Sequence, residues 1–262
     1  MTLTRVFFII ALAGLLFSCG KSEKELASEK LALAENLYEM GDTTQALMQV
    51  DTIQKMYKGA IQVIVDANKF EKKIYADLLY KKQDEMDSLN VKLEQLKGKF
   101  ITEKTDFDRY TQYIHKRQDF KRRWNKSFIQ IHLDERGELY ISSNYYGDKW
   151  LEHTGLRVYD NDIQAKTNKV PLDNVLNHHS DFLDTKWEKV TYRDGADNGV
   201  IEFIAQHADR NLKAVFLGSR YYYIVLEKYD KQAIKDALAL SKALKHEAQL
   251  KKEIQSLQSK VG

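Results

Sequence analysis

The sequence predicts an α+β protein: an N-terminal helical hairpin, then a long coiled-coil stalk whose middle and C-terminal helices pair antiparallel and carry an inserted antiparallel β domain. Three observations carry that expectation. A single proline, Pro171, interrupts 262 residues, so long unbroken helices are permitted over most of the chain. Apolar residues recur at helical and heptad spacing over residues 23–124 and again over 230–261. Between these arms, residues 127–228 break into short runs of β-branched and aromatic side chains bounded by turn signals. The expected segments are a leader at 1–18, a tether and helical hairpin at 19–58, a long helix at 60–124, a β-rich domain at 126–229 and a final helix at 230–262.

The leader opens on Arg5 and an apolar run at residues 6–17. At about 12 residues it falls well short of the roughly 20 that a helix needs to cross a hydrocarbon core of ~30 Å. It therefore reads as a signal-peptide core and not as a permanent span. The string Leu16-Phe17-Ser18-Cys19-Gly20 resembles the lipobox of bacterial lipoprotein precursors. That resemblance implies a lipid on Cys19, the chain's single cysteine, with cleavage immediately before it and attachment to a membrane through the acyl groups. It also implies outer-membrane sorting and a periplasmic setting, since Gly20 stands where an Asp would retain the protein elsewhere. The string Lys21-Ser22-Glu23-Lys24-Glu25 is similar to the tags that take some such lipoproteins to the cell surface, and it reads equally as a solvated tether. From the residues alone, an uncleaved anchor or a plain secretory signal is the alternative. A lipidated Cys19 leaves no intrachain disulfide.

The hairpin rests on Leu26, Leu31, Ala34 and Leu37 in one helix and on Ala46, Leu47, Val50, Ile53 and Met56 in the next. Gly41 suits the left-handed residue after a helix, and Asp42 or Thr43 suits the following N-cap. Residues 34–47, with Tyr38, Gly41 and Ala46 around the turn, resemble one tetratricopeptide repeat. No second copy follows, and a lone repeat cannot bury its apolar face on its own kind. A hairpin closing one end of a bundle is therefore expected in preference to a peptide-binding superhelix.

Residues seven apart, Leu79, Met86, Leu93, Phe100, Phe107 and Ile114, form one apolar series with Leu89, Leu96 and Tyr110 at interleaved positions. This is a coiled-coil seam, and the unbroken register favours one bent helix of roughly 100 Å running through Gly98. The competing signal is Thr105 with Asp108, a capping box that restarts a helix after a break. The series Leu240, Ile254, Val261 and Ala243, Leu250, Leu257 supplies the partner, interrupted by Glu247 and directed back along residues 93–124. Parallel homodimerisation through the same seam is the alternative, disfavoured by Lys82 and Arg117 at seam positions.

In the insert, strands are expected at residues 128–133, 138–142, 156–159, 187–192, 200–205, 212–217 and 221–227, with a loop or short helix at 172–183. Asp134-Glu135-Arg136-Gly137 joins the first two as a hairpin. One antiparallel sheet or a small sandwich follows.

Chemistry-bearing motifs are sparse. His178, His179 and Asp181, joined by His153 or His207, lack the spacing that puts two imidazoles on one helix face, so no metal is expected. His132 lies inside a strand pattern as a sheet-face residue. No phosphate loop, dinucleotide fingerprint or nucleophile elbow is present, and no cofactor is expected. With 41 basic and 38 acidic residues, the chain is too balanced for a dedicated nucleic-acid binder. The basic run that includes Arg122 and Arg123 and the aromatic group Tyr145, Tyr146 and Trp150 are the candidate surfaces for an envelope protein or glycan. For Tyr221-Tyr222-Tyr223, strand alternation places Tyr221 and Tyr223 on one face and Tyr222 on the other. The reading is of an anchored, non-enzymatic envelope protein, with a polymer hydrolase and a spacer without ligand as alternatives.

Overall fold

The computed structural model describes residues 21–118, 125–182 and 184–262. Cys19, Arg122 and Arg123 lie outside the described residues. Among the described residues the protein is mixed α+β, with five helices and ten strands in antiparallel sheets. The chain divides into two units, one reaching to Lys82 with Ile254–Gly262 added, the other Gln83–Glu253.

The first unit begins with α1 (Glu23–Glu39) and α2 (Thr43–Met56). Ser22 caps α1 reciprocally: its Oγ accepts from Glu25 N at 3.3 Å, while its own N donates to the Glu25 carboxylate at 2.8 Å. The expected turn is present. Gly41 has φ 87°, its N donates to Tyr38 O at 2.9 Å and Asp42 N donates to Leu37 O at 2.9 Å, a Schellman closure. The Asp42 carboxylate then caps α2 through Gln45 N at 3.0 Å. Small residues form the crossing: Ala27, Ala34 and Ala46 are fully buried, and Ala27, Ala34, Val50 and Ile53 share a core with Ala60, Val63 and Ala67. The last two belong to α3 (Ile61–Lys97), which covers the hairpin face that a lone repeat leaves open. Of the residues expected in this core, Met56 is 72% exposed and Leu26 37%. The Tyr38 hydroxyl donates to Asp77 at 2.7 Å, and burial together with that carboxylate pushes its pKa up to about 12.

The long helix expected to reach residue 124 ends at Lys97. Phe100–Glu103 (β1) and Gln112–His115 (β2) instead form an antiparallel hairpin with Phe100 opposite His115. The heptad series over 100–114 is thus coincidental. Phe100 is buried against the His115 ring at 5.0 Å, whereas Phe107 is 98% exposed at the hairpin tip. Thr105 and Asp108 make a turn and not a helix start, Asp108 Oδ2 accepting from Thr105 N and Oγ at 3.0 and 2.7 Å. The break comes at Gly98, whose carbonyl accepts from Lys116 Nζ at 2.6 Å. Helical continuity costs more at glycine than at other non-proline residues, and the β-branched Ile101 and Thr102 favour pairing.

A short 3₁₀ turn, Lys116–Gln118, follows. The Gln118 amide serves as a surrogate strand edge, accepting from Ile131 N at 3.2 Å and donating to Ile129 O at 3.3 Å and Asp230 Oδ1 at 2.8 Å.

Beyond it lie two four-stranded antiparallel sheets sharing one core. The first has the order β3-β4-β8-β7: Phe128–Leu133, Leu139–Gly147, Thr185–Tyr192 and Asn177–Phe182. The second has the order β10-β9-β5-β6: Tyr221–Val225, Lys213–Leu217, Gly155–Asp160 and Ile163–Lys166. Two local expectations are corrected. Residues 177–182, expected in a loop or helix, form β7, a polar edge strand that pairs with β8 despite poor strand propensity. Residues 200–205, expected as a strand, form α4 (Val200–Gln206) after Gly199 at φ 80°. Its buried Val200, Ile201 and Ile204 recur at helical and not alternating spacing.

Helix α5 (Lys228–Val261) buries Ala233, Ile234, Ala237, Leu240, Ala243, Leu244 and Leu250, all within the core shared by both sheets. The heptad pattern had directed it along residues 93–124; it meets Leu89 and Leu93 of α3 in that core, but not a helix beyond Lys97. Polar side chains reinforce this packing. Ser241 Oγ donates to Gly137 O at 2.6 Å, and Asp236 bridges Lys99 Nζ at 2.7 Å and His115 Nε2 at 3.2 Å. Burial would raise the Asp236 carboxyl, but Lys99, Gln232 and His115 hold it below its ordinary value.

Replacing Leu93 by Ala is expected to cost about 2–5 kcal/mol in chemical denaturation. Phe107→Ser should change stability by no more than about 0.5 kcal/mol, as for an exposed site. A continuous seam would make both costly.

Candidate functional site

The outward face of the second sheet is set by strand alternation and register. Leu156 and Val158 point into the core, so Arg157 points outward, opposite Lys166 on β6 and Val215 on β9; Val215 is in turn opposite Tyr223 on β10. The next row on this face is Gly155, Leu217 and Tyr221. Gly155, Arg157, Lys166, Leu217 and Tyr221, with Lys169, Gln164, Asn198 and Glu152, line an open cleft of about 800 Å³. Tyr221 and Tyr223 are 61% and 56% exposed.

The electrostatics of the cleft are one-sided. Arg157, Lys166 and Lys169 line it, with Glu152 the one acid among the described lining residues. The Arg157 guanidinium lies over the Tyr159 ring at 5.1 Å, and its buried Nε has no hydrogen-bond partner. Arg157 and Lys166 stand directly opposite each other across β5 and β6, an arrangement that like charges disfavour. The cleft offers cations, amides and the Tyr221 ring; among the described residues no group of metal-ligating side chains exists.

Its wall is held from behind by a buried carboxylate. Glu188, on β8, is fully buried. Its Oε1 accepts from Leu151 N at 2.6 Å and Glu152 N at 2.9 Å; its Oε2 accepts from His153 N at 3.0 Å and faces His153 Nδ1 at 2.6 Å. Three successive N–H groups around an anion form a nest, with Glu152 at φ 54°. Burial alone would raise the Glu188 carboxyl, but the His153 ring and the backbone N–H groups outweigh it and bring the pKa down to about 2.

The network continues inward. His153 Nε2 lies 2.8 Å from Ser143 Oγ, which lies 3.1 Å from the Tyr192 hydroxyl. Thr167 bonds Tyr192, and burial pushes the Tyr192 phenol upward despite those hydroxyls. Thr167, Tyr192, Ser143, His153 and Glu188 thus form one continuous hydrogen-bonded chain across the core. Ser143, His153 and Glu188 reproduce the hydrogen-bond order of a nucleophile, base and acid triad. All three are fully buried, and the serine hydroxyl is engaged by Tyr192. As arranged, the group ties the Leu151–His153 loop to the first sheet and presents no atom to substrate. Gly218 completes the junction, since a Cβ there would lie 2.1 Å from Leu151 O.

The residues singled out from the sequence fall elsewhere. Tyr145, expected in an exposed loop, is a correction: β4 runs on through it, its ring packs on Tyr222 at 5.1 Å and its hydroxyl donates to Lys149 O at 2.9 Å. Tyr146 is half-buried, its backbone bonded to Ser127. Trp150 is half-buried, with His179 at 5.5 Å and Lys186 Nζ at 5.4 Å from its ring. Only Tyr221, of the aromatic clusters, reaches the cleft. His178 and His179 sit on opposite faces of β7; His179 lies 3.9 Å from Glu188, and His178 packs on Trp187 at 5.7 Å. His207 binds Phe203 O at 2.8 Å, and His132 faces Ser142 at 2.9 Å.

Glu188 was missed although its parity was legible, since it alternates with the inward Val190 and Tyr192. Arg157 was missed in the same way, alternating with the inward Leu156 and Val158.

A carboxyl depressed from 4.5 to about 2 contributes stability that is fully present above the unfolded value and lost as pH falls through about 2. Urea unfolding of the wild type should therefore weaken steadily between these limits, and Glu188→Gln should lack that component. At neutral pH the variant is expected to lose about 3–5 kcal/mol.

Comparison of the chain with protein-family models, curated proteins and solved structures finds no match.

Proposed function

We propose that this protein is a non-enzymatic envelope lipoprotein, attached to a membrane through lipid on Cys19 and presenting its β-rich unit to an extracytoplasmic ligand. The cleft of the second sheet carries this reading: it is open, positively charged and lined by the exposed Tyr221, and its cations lack carboxylate partners among the described residues. Attachment rests on the lipobox-like string at residues 16–20. No described helix is long and apolar enough to cross a membrane. Outer-membrane placement facing the periplasm belongs to the same reading, through Gly20.

The finer architecture is also proposed. Heptad positions Leu79, Met86 and Leu93 on α3 and Leu240, Ala243 and Leu250 on α5 support a coiled-coil spacer, shortened to end at Lys97. The tetratricopeptide-like string at residues 34–47 serves as a closing hairpin. One observation favours a hydrolase instead, the Ser143–His153–Glu188 order. Its burial behind Tyr192 weighs against that reading, and covalent labelling of Ser143 by an organophosphonate probe would establish it.

Two measurements test the proposal. Palmitate label is expected on the wild type and absent from Cys19→Ala; undiminished label in the variant refutes the anchor. A photocrosslinker placed at Lys169 should capture a discrete envelope component that the same group at Val175, 95% exposed away from the cleft lining, does not. Equal capture from both positions refutes a ligand-binding cleft.

A further inference from the structure

We propose that the cleft on the second sheet binds an acidic glycan, with ring carboxylates or sulfates seated between Arg157 and Lys166 and a sugar face laid on Tyr221. This rests on the reading of the cleft as the binding surface and names its ligand class.

Three observations converge on an anion. Arg157 and Lys166 are directly paired across antiparallel strands, which places their Cβ atoms about 4.5–5.5 Å apart. Neither makes an ion pair among the described residues, and Lys169 on the same lining makes none either. Evolutionarily cheap relief, a carboxylate on the facing row, is absent: that row continues to Val215 and Tyr223. Finally, Arg157 Nε is buried with no acceptor, although the guanidinium is a rigid fork suited to bidentate recognition of carboxylate or sulfate. An anion between the two side chains supplies the missing charge.

The remaining lining selects a sugar over a compact ion. The cleft, at about 800 Å³, is far larger than one phosphate or carboxylate requires. Tyr221 stands on the same outward face, one row from Arg157, and is 61% exposed. A tyrosine presents an apolar ring with a polar tip, suited to the C–H face of a pyranose beside its hydroxyls. Gln164 and Asn198 add neutral amides to the lining, able to meet hydroxyl groups that a purely ionic ligand would not carry. Docking such a chain requires no rearrangement of the sheet, because Glu188 and Gly218 hold the adjoining wall.

The test uses the full-length protein in detergent micelles, with calorimetric titration of four probes: oligogalacturonate, chondroitin sulfate oligosaccharide, a neutral cello-oligosaccharide and a hexaglutamate peptide. One or both acidic saccharides should bind, more weakly as salt rises, and the neutral one should not. Binding of only the first assigns carboxylates; binding of only the second assigns sulfates. Arg157→Gln and Lys166→Gln should each weaken binding by about tenfold or more, the loss of one charge-assisted contact. Tyr221→Ala should weaken the saccharides but leave any hexaglutamate binding unchanged.

Unliganded stability supplies an independent readout, since removing either member of a like-charge pair should raise the melting temperature of the free protein. If both glutamine variants melt lower, the cations are structural and the inference fails. Hexaglutamate binding as tight as that of the saccharides, lost in the same variants, overturns the glycan assignment while leaving the cleft as a binding surface. Failure of all four probes, with the melting temperatures unraised, overturns both.

Discussion

A buried carboxylate meeting three consecutive backbone N–H groups organises the β-rich unit. Glu188 enters from the middle of the first sheet and ends the Leu151–His153 loop that leads into the second. Without the carboxylate, those N–H groups would be desolvated donors without acceptors, and each such buried group costs about 1–3 kcal/mol. The loop in turn fixes the start of β5, where Thr154 N donates to Leu217 O at 2.9 Å and Val170 N donates to Thr154 O at 2.7 Å. Asn177 from β7 closes the same junction by donating to His153 O and Val170 O. Both sheets therefore converge on one ionised side chain.

The cost of burying that charge explains the company it keeps. His153, Ser143, Tyr192 and Thr167 continue the hydrogen bonding across the core, so that polar atoms placed between two apolar faces find partners. Such networks are favourable only when complete. The triad-like order of three of these residues follows from the same requirement. An imidazole bridging a carboxylate and a hydroxyl is the shortest way to satisfy all three inside a sheet, whether or not a reaction follows.

The outward face of the second sheet was built under the opposite rule. Where the interior surrounds the Glu188 carboxylate with three N–H groups and an imidazole, the cleft leaves Arg157, Lys166 and Lys169 without an ion pair among the described residues.

Much of the architecture could be read from the chain, because local patterns carried it. The hairpin turn at Gly41 and Asp42, the β3–β4 hairpin at Asp134–Gly137 and the final helix depend on left-handed backbone, capping and periodicity, all properties of neighbouring residues. What the sequence could not decide was set by contacts between distant segments. Phe100, Phe107 and Ile114 keep a heptad spacing that a helix would use, yet pairing of Phe100 with His115 and the packing of Asp236 on Lys99 draw the chain into a hairpin. The polar run at β7 becomes a strand only because β8 offers it an edge, and Tyr145 becomes core only because Tyr222 arrives from 77 residues further along the chain. The same holds for the candidate site. Alternation told which way Arg157 and Tyr221 would point, but only strand order β10-β9-β5-β6 puts them on one surface beside Lys166, since register between strands is a tertiary property that no local spacing encodes.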